Sequence, residues 1–167
     1  LPILHKRFQF PVYVNSGTRE ALSPYPKFDN IDWKIFSNNS GFYINGIFVE
    51  AFSIPHDAYD PVGFVIRYKE TSLGVATDMG VATNIIRQRL KNCDALVVES
   101  NYDDDMLADA PRPWSLKQRI MGRQGHLSNA HAAEMLVEVA SPRLKQVYLA
   151  HLSGECNCRD LARATIA

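Results

Sequence analysis

The sequence predicts an α/β domain with helices layered on a sheet. Three observations carry that prediction. Between Ile31 and Tyr68 the apolar residues recur with a period near two. After Thr77 the pattern changes to continuous apolar runs alternating with segments of helical spacing. Three apolar stretches also stop at an ionisable side chain: Phe52-Ser53-Ile54-Pro55 at His56, Gly74-Val75-Ala76-Thr77 at Asp78, and Val147-Tyr148-Leu149-Ala150 at His151. Each reads as a buried strand, and strand ends are where α/β folds collect metal and substrate sites.

Taken in order, Leu1 to Arg7 reads as the middle of a helix, with none of the charge, apolar core and cleavage site of a signal peptide. Gln9 to Asn15 is a short strand around Phe10-Pro11-Val12-Tyr13-Val14, and Gly17 to Leu22 a short helix. Ser23 to Asn30 is a proline-containing loop. A β-meander is expected over Trp33-Ile35, Phe42-Ile44, Ile47-Val49-Phe52 and Phe64-Ile66-Tyr68. Its turns are signalled by Asn38-Asn39-Ser40-Gly41 and Asn45-Gly46.

Val81 to Lys91 is helical through Val81, Ile85, Ile86 and Leu90, and Ala95 to Glu99 is a continuous buried strand. Asp103 to Ala108 and Trp114 to Met121 read as helices either side of Pro111-Arg112-Pro113. Ser128 to Ala140 is the clearest helix, capped by Ser128 or Asn129, with Ala132, Ala133, Leu136, Val137 and Ala140 on its inner face. Val147 to Leu152 is a strand, and Arg159 to Ala167 reads as a helix without a C-cap. Both ends look cut, so residues 1–167 are expected to be a partial domain.

Composition narrows the function. Lys+Arg and Asp+Glu are 18 each, so the net charge is zero, which argues against a broadly basic nucleic-acid coat but leaves room for a local basic groove. No apolar run approaches the ~20 residues of a membrane span. Three cysteines, Cys93, Cys156 and Cys158, are too few for a disulfide framework, and a reducing, cytoplasmic setting is expected.

His56 and Asp78 flank two strands joined by a turn, and an antiparallel hairpin would bring them side by side. Two imidazoles and a carboxylate suit a zinc-like divalent ion. Taken singly, His56 also reads as a loop histidine, Asp78 as the cap of the next helix, and His151 as a satisfied core imidazole. Asp103-Asp104-Asp105 reads as acids favouring a helix N-terminus, and His5 and His131 as structural. Arg112, Lys117, Arg119 and Arg123 form a positive segment, either a solvated helix face or a hold on a phosphate backbone.

His56-Asp57-Ala58 with Pro61-Val62-Gly63-Phe64, then Thr77-Asp78-Met79-Gly80, Glu99-Ser100-Asn101-Tyr102, Gly125-His126-Leu127-Ser128-Asn129 and Ala150-His151-Leu152-Ser153 resemble the metallo-β-lactamase-fold hydrolases, and among them the WalJ/YycJ-type bacterial group. The resemblance runs along nearly all of the chain. It implies an incomplete αββα sandwich with metals at the sheet edges, and two zinc or manganese ions in the full-length protein. It further implies that His56 and His151 each serve one metal and that Asp78 bridges them. Glu99 and His126 match a pair that phosphodiester-cleaving members use near the leaving group, His126 as general acid and Glu99 orienting it. The H-x-H-x-D-H motif that supplies the family's other ligands is absent here.

The expected function is therefore part of a metal-dependent hydrolase acting on phosphodiester bonds in nucleic acid, inactive as this piece alone. A thioester, lactone or lactam hydrolase on the same fold stays open, as does a binding module without metals. Oligomeric state is not legible.

Overall fold

The computed structural model describes residues 1–167. It begins with α1 (Pro2–Phe8), β1 (Val12–Asn15), α2 (Ser16–Leu22), a 3₁₀ turn at Pro26–Phe28 and β2 (Trp33–Phe36). Asn15 ends β1 and starts α2, because its side-chain oxygen accepts the Thr18 N–H at 2.9 Å. β1 and β2 pair in parallel as a separate two-stranded sheet. The expected meander is corrected here: Trp33-Ile35 leaves it. After Phe36 the chain turns at Asn39, which is left-handed at φ 59°, and Phe36 stacks on Phe42 across the two sheets.

The main sheet has six strands in sequence order: β3 (Gly41–Ile44), β4 (Ile47–Ser53), β5 (Val62–Tyr68), β6 (Thr71–Ala76), β7 (Ala95–Glu99) and β8 (Gln146–Ala150). β3 to β6 are antiparallel neighbours, whereas β6, β7 and β8 run parallel. Parallel pairs need crossovers. The β6–β7 crossover contains α3 (Asn84–Leu90). The β7–β8 crossover contains α4 (Asp104–Asp109), α5 (Trp114–Met121) and α6 (Asn129–Val139), and α7 (Arg159–Ile166) follows β8.

The core lies between the sheet and α3 and α6. Phe52, Val65, Leu96 and Val98 from the strands meet Ile86 and Leu90 of α3 and Ala132, Met135 and Val139 of α6, all essentially inaccessible. Burying each large member stabilises by about 1.5–3 kcal/mol, and this packing fixes where β6, β7 and β8 end. Side chains cap the helices as their residue types predict. Thr83 starts α3, Asp103 starts α4 and Ser128 starts α6, each accepting a backbone N–H three residues on. No helix is long and apolar enough to cross a membrane.

The opposite ends of the parallel strands are tied by Asp94. Its Oδ2 accepts from the Ser72 N–H at 2.9 Å and from Arg143 at 3.0 Å, and Oδ1 accepts from Lys145 at 3.3 Å. The Arg143 guanidinium, aided by Ser72, holds this carboxyl well below the usual carboxylate range. A depressed folded pKa contributes stability that is present above the unfolded value, about 3.9, and lost as pH falls below it. Asp94→Asn is therefore expected to lower stability at pH 7 and to shrink the difference between denaturant midpoints at pH 7 and pH 3. An unchanged difference would remove Asp94 from the acid response.

Candidate metal and catalytic site

Four strand ends converge at one edge of the main sheet. Glu99 is the last residue of β7, His151 follows β8 directly, Asp78 lies two residues beyond β6, and His56 three residues beyond β4. Because β6, β7 and β8 are parallel, their C-terminal ends share that edge. Asp78 and His151 both adopt left-handed backbone, each at φ 58°. For an L residue that costs about 1–2 kcal/mol, and such strain gathers where a side chain must be aimed.

Glu99 organises the cluster. It is fully buried, and its Oε1 accepts the Nδ1–H of His126 at 2.7 Å and the Nδ1–H of His151 at 2.8 Å. Its other oxygen accepts the Met79 N–H at 2.8 Å, so the carboxylate also fixes the residue next to Asp78. His56 donates its Nδ1–H to the Gly125 carbonyl at 3.0 Å. Ionised carboxylate and carbonyl oxygens only accept, so the proton of each neutral ring sits on Nδ1. All three Nε2 atoms are left with a free lone pair. The His126 ring lies between the other two, 5.1 Å from each by centroid.

Asp78 Oδ1 is 3.8 Å from His56 Nε2 and 3.6 Å from His151 Nδ1. Ligand atoms of Asp78, His126 and His151 all fall within 4.8 Å of one another. The donor set fits a divalent ion: imidazoles anchored through Nδ1 to oxygen partners, beside a half-exposed carboxylate, are what zinc-like ions take. The grouping differs from the sequence expectation in one respect. His56, Asp78 and His151 do share the edge, but the tightest set includes His126 where His56 was expected.

His126 reaches the edge on the loop after α5, pinned by its own N–H to the Ile120 carbonyl at 2.8 Å and by Asp57 N–H to the Gln124 carbonyl at 2.9 Å. Gly80 passes against the backbone of Gly122 and Arg123 too closely for any Cβ, which seats this loop beside Asp78. The hydrogen bond to Glu99 raises the His126 pKa, burial opposing it.

The structural alternatives divide. Asp78 does not cap α3, since Thr83 does. His151 is not enclosed, with its side chain 43% exposed. His5 is buried and bonded to the Phe10 carbonyl, and His131 bonds Ser128. The basic segment splits. Lys117 is buried and donates to the Ala108 carbonyl at 2.5 Å, whereas Arg112 pairs with Glu155 at 2.6 Å and Arg119 with Asp57 at 2.5 Å.

A family model described as a beta-lactamase superfamily domain matches residues 1–152. The chain belongs to the beta-lactamase superfamily. Within this superfamily it is 34% identical to the exodeoxyribonuclease YycJ of Bacillus anthracis, over 100% of this chain and 64% of that relative's length. The fold is the metallo-β-lactamase fold. It superposes on YhfI of Bacillus subtilis with a TM-score of 0.74 at 14% identity, covering 99% of this chain and 62% of the other. It also superposes on zinc-bound PqqB of Methylobacterium extorquens with a TM-score of 0.64 at 19% identity, covering 90% and 57%. The superfamily and this zinc-bound neighbour point to a divalent metal, in keeping with the donor set at the sheet edge.

Sequence reasoning missed two partners in the superfamily site. Glu99 was paired with His126 alone, yet it holds His151 equally. Asn101, quoted only within a motif, was given no partner, yet its side chain donates to the His151 carbonyl at 2.7 Å. Both contacts span about fifty residues, and spacing carries no signal at that range.

Proposed function

We propose that this chain forms part of a metal-dependent hydrolase that cleaves phosphodiester bonds in nucleic acid. The observation that carries the proposal is the shared Glu99 oxygen: one buried carboxylate aims two imidazoles at the space beside Asp78. The B. anthracis relative is named an exodeoxyribonuclease, which supports DNA as substrate. This chain spans 64% of that relative's length, and residues 1–167 are proposed as part of a larger domain whose H-x-H-x-D-H segment supplies further ligands. Three free thiols support a reducing, cytoplasmic setting.

His56 and His151 are the proposed imidazole ligands, and Asp78 the carboxylate between two zinc or manganese sites. When bound, such ions polarise a phosphate and lower the pKa of water. His126 is the proposed general acid: as the imidazolium, which the Glu99 hydrogen bond favours, it gives its Nε2 proton to the leaving oxygen while Glu99 keeps hold of Nδ1–H. Arg112 and Arg119 lie near enough to meet the charge of a phosphate backbone.

The test takes the protein carrying this chain and its upstream motif, and offers it single-stranded DNA, a thioester and a lactone, with and without chelator. DNA cleavage that disappears on chelation is expected. Thioester or lactone hydrolysis without DNA cleavage would favour the alternative substrates. A protein that neither takes up metal nor turns over any of the three would be a binding module.

A further inference from the structure

Against the outer wall of His126 and His151 lies a cavity of about 300 Å³ between α4, α5 and the loop after β8. Away from the histidines, the apolar side chains of Tyr102, Leu107, Leu116, Ile120 and Leu152 share its lining with Asn101, Arg119 and Ser153. Arg112 also lines it. Prolines on both sides stiffen the backbone at Arg112. Its Nε and Nη2 both donate to one Glu155 oxygen, at 3.2 and 2.6 Å. The Glu155 side chain is 70% exposed, so it is a loosely held carboxylate sitting where an external anion would meet the guanidinium.

A half-apolar chamber with two guanidinium groups, Arg112 and Arg119, opening beside the proposed reacting groups, matches a nucleobase attached to a phosphate. The volume lies at the lower limit of small-molecule sites, enough for one base and too small for a base pair. Apolar side chains can hold any base by contact with its apolar face, without reading its sequence. We propose that this cavity receives the unpaired terminal nucleobase of a DNA strand, with Arg112 exchanging Glu155 for a phosphate of that nucleotide. The assignment rests on the phosphodiesterase reading above and adds to it a requirement for a frayed or single-stranded end. Leu116 is partly exposed, so a larger side chain there fills the cavity without disturbing the main core.

The experiment titrates the full chain, in EDTA, with 2-aminopurine deoxyriboside 5′-monophosphate and follows the base fluorescence. Saturable quenching is expected, with inorganic phosphate alone a much weaker competitor than a deoxynucleoside monophosphate. Leu116→Trp fills the cavity and is expected to weaken nucleotide binding by about tenfold or more, the cost of losing roughly one to two buried methylene contacts, with its thermal melt unchanged. Arg112→Gln serves as the second variant, weakening nucleotide and phosphate together. An oligonucleotide with 2-aminopurine at an unpaired end is expected to bind, and the same base paired at a blunt duplex end is not. Wild-type affinity in a folded Leu116→Trp chain, phosphate competing as well as nucleotide, or equal binding of the blunt duplex would each overturn the assignment. Because the titration needs no turnover, nucleotide binding in a protein unable to cleave DNA would refute only the nuclease reading. DNA cleavage without nucleotide binding would refute only the cavity.

Discussion

Glu99→Ala is expected to be the most damaging single substitution at the sheet edge. It deletes a fully buried carboxylate that accepts from two imidazoles and from the Met79 N–H. Three donors lose their acceptor, the Met79 N–H and two partly exposed imidazoles, and a cavity remains. Leaving a buried donor such as the Met79 N–H without its acceptor costs about 1–3 kcal/mol, and the cavity adds to that. A denaturant melt should register that loss. Glu99→Gln probes orientation more gently, because the amide keeps the shape and one acceptor oxygen. If that oxygen faces the histidines, their rings stay aimed but are held without charge. If the NH₂ faces them, both Nδ1–H bonds are lost. Metal affinity in the protein bearing the full ligand set is then expected to fall by about 10–100-fold, as for other outer partners of metal-binding histidines. Wild-type stability in Glu99→Ala would mean that Glu99 does not organise this edge.

Much of this architecture was legible in the sequence, for reasons that can be traced to single residues. Ala95 to Glu99 reads as a strand from its continuous apolar run, and the observed bounds coincide, with Leu96, Val98 and Glu99 buried and Ala95 and Val97 partly exposed. Trp114 to Met121 likewise matches its expected bounds. Ser128 and Asp103 mark helix starts because a short oxygen-bearing side chain satisfies an otherwise open N–H, whereas the helix expected from Val81 begins only at Asn84, capped by Thr83. The ends of the apolar runs correctly brought His56, Asp78 and His151 to one edge.

What was not legible depends on long-range geometry. Trp33-Ile35 alternates like a meander strand, yet pairs in parallel with β1, because alternation specifies a strand and not its neighbour. The left-handed turns at Asp78 and His151 leave no mark in residue type beyond the tolerance of aspartate and histidine for that conformation. The Gly125 carbonyl that fixes the His56 tautomer is a backbone group, invisible to any motif. Arg112 and Lys117 look alike in sequence. The structure separates them, the first beside a cavity and the second buried against a helix-end carbonyl.

The second large effect concerns His126, and it separates two roles that the geometry brings close together. Its Nδ1–H bond to Glu99 leaves Nε2 facing the site, as a general acid requires. A ring nitrogen of His126 also lies within reach of Asp78 and His151, as a ligand would. In the protein carrying this chain and its upstream motif, His126→Ala is expected to lower turnover by about 10²–10⁴-fold. The loss should shrink for an activated diester whose leaving group needs no proton. Asp78→Ala is expected instead to empty or disorder the metal site, since the proposed bridging carboxylate is gone.

The decisive measurement is metal stoichiometry in wild type, His126→Ala and Asp78→Ala, taken beside turnover on ordinary and activated phosphodiesters. The account predicts full metal content and leaving-group-dependent loss in His126→Ala, with metal lost in Asp78→Ala. Metal retained in Asp78→Ala, or equal losses on both substrates in a metal-replete His126→Ala, would contradict it.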